Sequence, residues 1–412
     1  MARQQRSLFI TLFVAFTLCT GLLSACGQQQ QGGETTAATS ESTEAASAEA
    51  TTAEAEATSS DAEATSSEAE TDTTASQTDP SLAFPSWNAD SASLAKLVAY
   101  VQSVTDVNSA DYVDPEERLA TFDMDGTLLC EKAPVYVDYC VLMHRVLDDP
   151  TYDAPAEYKE TGEKLRENAD HGIVADELDT AKNEALVGSF AGMEPEEFRA
   201  YVTNFIDTTQ AEGFEGMTYG ESIYKPMREV VDYLRANDFD VYVVSACERE
   251  VARAISVSKL GVEPDHVIGT DYGTKATGQG DEEANKYTFE QDDELVLDGT
   301  KDLEVAKLNK VVYIEREIGR RPLLAFGNSS GDYAMLNYAQ SNPDHKGVGL
   351  LVICDDVERE YGDVERAEKQ TGEAAEAGWT TFSMANDWAT IYGEGVVKTE
   401  LPADAEQLAE AA

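Results

Sequence analysis

Basic residues are scarce in this chain of 412 residues, and their scarcity excludes several kinds of partner. Lys and Arg together number 30 against 79 Asp and Glu, which gives a formal net charge of -49 at pH 7. Without a basic stripe to displace phosphate counterions, the composition argues against nucleic-acid binding. It also argues against docking of the folded part on an anionic lipid surface.

Cysteine and long apolar runs are also scarce. Only six cysteines are present, and the four beyond the N-terminal region belong to no Cys-x-x-Cys pair: Cys130, Cys140, Cys247 and Cys354. This spacing indicates neither a zinc site nor a disulfide scaffold, so core packing is their predicted role. Beyond the N-terminal region, no stretch reaches the length needed to span a bilayer.

The N terminus has the three parts of an export signal. Arg3 and Arg6 precede the apolar stretch Leu8 to Leu18, and Leu23-Ser24-Ala25-Cys26 follows. This resembles a bacterial lipoprotein signal, which implies a mature chain that begins at Cys26 and is lipid-anchored to the extracytoplasmic side of the cell membrane. A plain secretory signal cut nearby is the alternative. Either signal predicts export.

The composition changes after this signal and divides the chain. Residues 28–79 contain twelve acidic residues and neither Lys nor Arg, and they have too few apolar side chains to offset the entropy of ordering. We therefore predict a signal peptide at 1–25, a disordered acidic tether at 26–79, an α/β core at 80–129 and 220–395, a helical cap at 130–219, and an acidic tail at 396–412.

Strand patterns alternate with amphipathic helices in the core, which favours a parallel α/β sheet. The predicted strands are Leu119 to Phe122, Phe239 to Val244, His266 to Gly269, Leu323 to Phe326 and Val348 to Ile353. The predicted helices are Pro226 to Ala236, Glu248 to Lys259 and, in the cap, Pro195 to Phe205. The stretch Gly269 to Thr300 is rich in Gly, Asp and Glu and is predicted to form a surface hairpin.

The first predicted strand runs directly into Asp123-Met124-Asp125-Gly126-Thr127. Two carboxylates on alternate positions at a strand mouth suit phosphoryl transfer, in which one attacks phosphorus while the other moves a proton. A calcium loop is excluded because Gly126 falls at the fourth position rather than the sixth.

Polar residues follow two later strands as well. Ser245-Ala246 offers a hydroxyl and an amide to a phosphate, although a serine at a strand end also serves ordinary turn chemistry. Asn328 and Asp332 offer two oxygen ligands that suit Mg²⁺, although a Gly/Ser turn without metal has the same composition. Lys301, Lys307 and Lys310 are the three candidates for the cation that offsets the negative charge of these carboxylates.

The order of these motifs resembles that of the haloacid dehalogenase superfamily, in its phosphoserine-phosphatase-like branch. The similarity runs from about Leu119 to Tyr392, and it favours Lys310 because this lysine precedes Ile318-Gly319-Arg320-Arg321-Pro322 and the Phe-Gly-Asn-Ser loop. It implies a Rossmannoid parallel sheet flanked by helices, with a helical cap inserted after the first strand. It also implies an Mg²⁺-dependent phosphatase that hydrolyses a small phosphomonoester through an aspartyl-phosphate.

The resemblance further assigns roles to individual residues. Asp123 is the nucleophile, Asp125 is the general acid and base, and Thr127 hydrogen-bonds Asp125 or the loop and sets its rotamer. The implied metal ligands are Asp123, the backbone carbonyl of Asp125, Asn328 and Asp332, and the implied phosphate ligands are Gly126, Thr127, Ser245, Ala246 and Lys310. The branch commonly has Asp where Asn328 stands, so one metal ligand is expected to be neutral.

Substrate choice is expected to lie with the cap. Glu131 is a candidate for binding a substrate ammonium, as in phosphoserine or phosphocholine, or else it is a solvated carboxylate at a helix start. The alternative function is a non-catalytic surface lipoprotein that binds a phosphorylated small molecule. The sequence specifies no oligomeric state.

Overall fold

The apolar runs of the sequence form the strands of the structure, a computed structural model that describes residues 84–133, 135–170 and 178–399. The chain divides into two units, Met1–Thr73 and Thr74–Ala412, and all described residues belong to the second. The predicted signal peptide, the tether, Cys26 and most of the acidic tail lie outside the described residues. None of the described helices has the length and apolar composition that crossing a membrane requires.

The strands of the described part are β1 (Leu119–Phe122), β2 (Phe214–Glu215), β3 (Asp240–Glu248), β4 (Val267–Thr270), β5 (Tyr272–Ala276), β6 (Leu295–Lys301), β7 (Leu324–Gly327), β8 (Val348–Ile353), β9 (Thr380–Ser383) and β10 (Val397–Lys398). The α-helices are α1 (Ala92–Thr105), α2 (Val137–Met143), α3 (Ala156–Asp170), α4 (Asp179–Phe190), α5 (Pro195–Thr208), α6 (Lys225–Ala236), α7 (Arg249–Leu260), α8 (Leu308–Glu317), α9 (Tyr333–Gln340), α10 (Val364–Ala377) and α11 (Met384–Asp387).

Six of these strands form one parallel sheet in the order β4-β3-β1-β7-β8-β9. β1 lies at its centre, with Phe122 opposite Val243 of β3 and Phe326 of β7. The rings of Phe122 and Phe326 stack with their centroids 4.1 Å apart. The carboxyl ends of β1, β3 and β7 therefore meet at one edge.

The sheet is covered on both faces, as near-continuous apolar strands require. Alternate residues of β8 enter different apolar clusters: Leu350 packs in one, with helices α1 and α6, and Leu351 packs in the other, with α8, α9 and α10. Helix α6 shows the predicted buried face, since Val230, Val231 and Leu234 are all fully buried. The predicted α/β fold is confirmed.

A helical cap follows the first strand, as predicted. Helices α2 to α5 and a π-helical turn, His144–Asp148, occupy this part of the chain before β2. The predicted surface hairpin is formed by β5 and β6, which pair antiparallel in a separate two-stranded sheet. The hairpin contacts the cap, because Gly192 N–H donates to Leu297 O and Leu297 N–H donates to Met193 O, each at 2.8 Å.

One strand differs from its prediction in a way that affects the site. We expected the second strand to end at Val244, but β3 continues to Glu248. Its pairing with β4 is irregular between Val244 and Glu248, and this bulge extends the strand past the polar residues. Glu248 then caps α7 by accepting a hydrogen bond from Val251 N–H at 2.8 Å.

Candidate active site

The polar residues that follow β1 and β7 meet Ala246 and Cys247 of β3 in one cavity of about 190 Å³. Cap residues and the loop between β6 and α8 complete its wall. Six acidic residues line it: Asp123, Asp125, Glu131, Asp138, Glu304 and Asp332. Among the described residues that line the cavity, Lys310 is the only lysine or arginine. The cavity is therefore strongly acidic, although its wall contains one buried cation.

Lys310 connects the three strand ends. Its Nζ donates to Asp123 Oδ1 at 2.5 Å, to Asp332 Oδ1 at 2.7 Å and to Val244 O at 2.7 Å. Lys310, Asp123 and Asp332 are all buried. All three ammonium protons have acceptors, so the lysine holds both carboxylates at one point.

The competing lysines face other partners. Lys301 Nζ donates to Asn183 Oδ1 of the cap at 3.2 Å, and the exposed Lys307 precedes α8, where its N–H donates to Gly331 O. Of the three candidates, the structure places only Lys310 in contact with Asp123.

Burial has the largest effect on the pKa values of Asp123 and Asp125. It raises the pKa of Asp123 to about 7, with a further rise from Asp332, while Lys310 opposes the change. Burial also raises the pKa of Asp125 well above its ordinary value, and the charges of Asp123, Asp138 and Glu131 add to this rise. Asp125 Oδ1 is buried and has no hydrogen-bond partner within the described structure. Both effects favour the protonated form of Asp125, which is the form that a general acid needs.

Two roles expected of the first motif need correction. Thr127 was expected to hydrogen-bond Asp125 or the loop, but its Oγ1 donates to Asp123 Oδ2 at 3.2 Å. The Gly126 N–H, expected to bind phosphate, donates to Leu129 O at 2.8 Å, because the chain turns back on itself here. The loop therefore orients Asp123 and leaves the Gly126 amide without a free hydrogen.

Gly126 has a second role that requires glycine. Its φ is +77°, in the left-handed region that favours glycine. A Cβ at this position would lie 1.9 Å from Asn328 Nδ2. The missing side chain leaves room for Asn328, so the two loops meet by direct contact.

Ser245 and Ala246 are placed differently from each other. Ala246 lines the cavity, whereas Ser245 is fully buried and does not line it. Ser245 Oγ accepts the Cys247 N–H at 3.0 Å, because the extended β3 turns this hydroxyl toward its own backbone. Its expected contact with phosphate is therefore absent from this arrangement.

Glu131 lines the cavity but already has a cationic partner. Arg366 of α10 donates to both of its carboxylate oxygens, at 2.9 and 3.2 Å, and Tyr136 Oη donates at 3.4 Å. The expectation of a solvated carboxylate is thus corrected, because Glu131 is largely buried and paired with Arg366, while its contact with a substrate ammonium stays a prediction. The pairing joins residues 235 positions apart, so no local pattern could reveal it.

Eight lining residues were not predicted, and four of them have side chains that can contact a polar substrate: Tyr136, Asp138 and Tyr139 of the cap, and Glu304 of the loop before α8. Tyr136-Val137-Asp138-Tyr139 does form a recognisable cluster of aromatic and acidic residues eleven positions after Asp125. The sequence does not show that the cap lies over the sheet, however, and without that information the cluster is typical of an ordinary helix start.

Comparison with known proteins identifies the family. The model of the haloacid dehalogenase-like hydrolase family matches residues 120–337, which is more than half of the chain. The chain is a haloacid dehalogenase-like hydrolase. The matched residues include both aspartates of the first motif, Lys310 and the loop from Asn328 to Asp332. No curated protein matched the chain significantly.

Several solved structures resemble this hydrolase at low identity. A protein of unknown function from Bordetella pertussis Tohama I has 19% identity and a TM-score of 0.41, covering 65% of this chain and 98% of its own. A phosphoserine phosphohydrolase-like protein from Francisella tularensis subsp. tularensis SCHU S4 has 13% identity and a TM-score of 0.34, covering 63% and 99%. A phosphoserine phosphatase, solved as a phospho-aspartyl intermediate analogue, has 14% identity and a TM-score of 0.27, covering 57% and 86%.

The donor set of the hydrolase fits Mg²⁺ only in part. Asp123, Asp332 and the Asn328 amide supply oxygen donors to one cavity, as Mg²⁺ prefers. Asp332 Oδ2, however, accepts the backbone N–H groups of Asn328 and Ser329, each at 3.0 Å. Within the described part of the chain, no three His, Cys, Asp or Glu side chains form a metal-binding group.

Proposed function

We propose that this hydrolase is a phosphatase that cleaves a small phosphomonoester through an aspartyl-phosphate on Asp123, with Mg²⁺ as cofactor. One observation carries the proposal: Lys310 holds Asp123 in place in a cavity where Asp125 faces it with a raised pKa. A nucleophilic carboxylate beside a protonated carboxylic acid is the pair that this reaction needs.

Each residue has a defined part in the first half of the reaction. A carboxylate oxygen of Asp123 attacks phosphorus in line while the bond from phosphorus to the alcohol oxygen breaks. Asp125 gives its proton to that oxygen, so the alcohol leaves neutral. Thr127 and Lys310 hold the two oxygens of Asp123 and thereby fix the direction of attack.

The second half releases phosphate. Asp125, now a carboxylate, takes a proton from water as the water oxygen attacks phosphorus and the bond to Asp123 breaks. Asp123, Asp332, Asn328 and the backbone carbonyl of Asp125 would hold Mg²⁺, which when bound would neutralise the phosphate oxygens and keep Asp123 ionised. Lys310 supplies a fixed positive charge in both halves.

The test uses two phosphomonoesters with good and poor leaving groups, nitrophenyl phosphate and propyl phosphate, with Mg²⁺ or EDTA. Asp123→Asn should lower turnover of both by several orders of magnitude, because an amide cannot form the acyl-phosphate. Asp125→Asn should lower propyl phosphate hydrolysis by roughly 10²- to 10⁴-fold, and nitrophenyl phosphate hydrolysis far less, because only the poor leaving group needs the proton.

The alternative function gives a different result. Asn328, which stands where a carboxylate is expected, favours a non-catalytic protein that binds a phosphorylated small molecule. In that case folded wild-type protein would release no phosphate from either ester, yet inorganic phosphate would still raise its melting temperature. Equal losses for both esters in Asp125→Asn would instead contradict the acid and base role.

We also propose that the hydrolase is exported and lipid-anchored through Cys26. Support comes from the sequence of the N terminus alone. A phosphatase placed there would act on phosphomonoesters outside the cytoplasm.

A further inference from the structure

The cap side of the cavity has a chemistry of its own. Asp138 and Tyr139 lie in the first turn of α2, Tyr136 immediately precedes it, and Glu304 comes from the loop before α8. None of these side chains has a part in the proposed attack on phosphorus. They line the space that remains for the leaving alcohol.

Asp138 is a partly buried carboxylate without an ion pair. Its Oδ1 accepts the Tyr139 N–H at 2.9 Å, and no lysine or arginine of the described residues lies within ion-pair distance of it. Lys182 and Lys301 influence it from farther away, since both oppose the rise that burial causes in its pKa, to about 6. It is thus mainly ionised at neutral pH. An ionised, partly buried group without a partner is costly unless a ligand supplies one.

Two aromatic rings flank this carboxylate. The rings of Tyr136 and Tyr139 meet edge to face, with centroids 5.6 Å apart and an interplanar angle of 78°. Burial raises the pKa of both hydroxyl groups, so both rings are neutral. Neutral aromatic rings attract cations, and both rings already lie against one: Lys182 Nζ is 4.4 Å from the centroid of Tyr139, and Lys132 Nζ is 5.7 Å from that of Tyr136.

The same cavity offers nothing to a second anionic group. Arg366 does not line it and is held by both oxygens of Glu131. Lys310 has three acceptors and serves the phosphate end. A substrate carboxylate would therefore meet Asp138, Glu304 and Glu131 without a free cation among the described lining residues.

We infer that the leaving alcohol of the substrate carries a positive charge and no negative charge, and that Asp138 binds this cationic group beside Tyr136 and Tyr139. The inference rests on the proposed phosphatase function and names its substrate class, the phosphate esters of amino alcohols. Phosphoethanolamine is the simplest member. Phosphoserine has the same ammonium but adds a carboxylate, and is expected to be the poorer substrate.

The test compares kcat/KM for phosphoethanolamine, phosphoserine and the neutral propyl phosphate. Asp138→Asn should lower the value for phosphoethanolamine by about tenfold, equivalent to about 1.4 kcal/mol, and leave propyl phosphate within about twofold. Each substrate is compared between variant and wild type, so differences in leaving-group acidity cancel. Asp138→Glu, which keeps the charge, should retain part of the preference.

A matched control removes a charge elsewhere on the cap. Glu163 is an exposed residue of α3 that does not line the cavity, and Glu163→Gln should leave all three values unchanged. Thermal melting of each variant confirms that it is folded.

The outcomes separate the two proposals. If wild type prefers phosphoserine, or if Asp138→Asn lowers phosphoethanolamine and propyl phosphate hydrolysis equally, recognition of a cationic alcohol is overturned and the phosphatase stands. If folded wild type with Mg²⁺ hydrolyses none of the three esters, the phosphatase proposal itself fails, and this inference fails with it.

Discussion

Lys310 shows how one side chain organises the site. Burial alone would lower its pKa, but Asp123 and Asp332 raise the pKa above its ordinary value, so the lysine stays charged. Its contacts join the ends of β1 and β3 to the loop after β7. Removing it would leave two buried carboxylates facing each other without a cation, which is strongly destabilising. The contacts of Lys310 therefore hold Asp123 and Asp332 together through the protein's own side chains.

Asn328 allows a test of the metal site that does not depend on turnover. Asn328→Asp adds a charge to the oxygen donors, so it should tighten Mg²⁺ binding by about tenfold, equivalent to about 1.4 kcal/mol. Calorimetric titration with Mg²⁺ measures this directly. Without Mg²⁺ the variant should melt at a lower temperature than wild type, because a further carboxylate then repels Asp123 and Asp332.

The control for this variant is Ser330→Asp, which adds the same charge on an exposed neighbour that does not line the cavity. An equal gain in Mg²⁺ affinity from both variants would show a general effect of charge. An unchanged affinity in Asn328→Asp would exclude Asn328 as a ligand and leave Asp332 as the main donor of its loop.

At the scale of elements, the hairpin β5–β6 has two parts: strand β6, which contacts the cap, and an exposed connection at residues 277–294, which we expect to be dispensable. Strand β6 contacts the cap through hydrogen bonds with Gly192 and Met193, and the loop that follows β6 supplies Glu304 to the cavity. The connection at residues 277–294 is mostly exposed. Within it, Asp293 accepts bonds from Gly278 N–H and Tyr287 Oη, each at 2.7 Å.

Shortening this connection should therefore cost little. Ala276 and Leu295 are directly paired, so an Asn-Gly turn can replace residues 277–294 without a change of register. Loop closure changes by only about 1–2 kcal/mol, in favour of the shorter loop, so the melting temperature should hold or rise by a few degrees. Propyl phosphate hydrolysis should persist.

Leu297→Ala provides the contrast, since Leu297 is buried on β6 and its truncation should cost about 2–5 kcal/mol. A large fall in stability or turnover after the loop replacement would contradict the expendable role of the connection.

At the scale of the whole molecule, the excess of acid extends into the core. Glu360 is buried, accepts bonds from Tyr392 Oη and from Tyr361 N–H, and lies near the Cys130 thiol. Burial raises its pKa from 4.5 to about 7. Between about pH 4.5 and 7 the folded protein therefore keeps a proton that the unfolded chain has already lost.

The pH dependence of stability follows from this difference. Below about pH 4.5 both states hold the proton, and between about pH 4.5 and 7 only the folded state does. In this window the contribution of Glu360 to the free energy of unfolding falls as pH rises, by roughly 1 kcal/mol per pH unit. Glu360→Gln resembles the protonated acid and should remove this fall.

Urea unfolding at a series of pH values measures the effect. Glu358→Gln changes an exposed neighbour and should follow the wild-type pH dependence. If Glu360→Gln also followed it, the raised pKa would be disproved.

Local patterns predicted more of this fold than of its site. The strands could be placed because buried parallel strands are short apolar runs, and the strand ends then gave Asp123, Asp125 and Asn328 together. Contacts that cross the chain could not be predicted: Arg366 reaches Glu131 only after the sheet has formed. The same limit hid Asp138, whose importance depends on the cap lying over the sheet, and Ser245 was misplaced because a bulge lengthens β3.

The contact between Gly126 and Asn328 carries a consequence for how this sequence can change over generations. A side chain at 126 would collide with the amide at 328, and a larger residue at 328 would press on the turn that aims Asp123. A substitution at either position therefore requires a compensating substitution at the other. Homologues should therefore show correlated exchange between the two positions, so that the first loop and the last one are inherited as one unit.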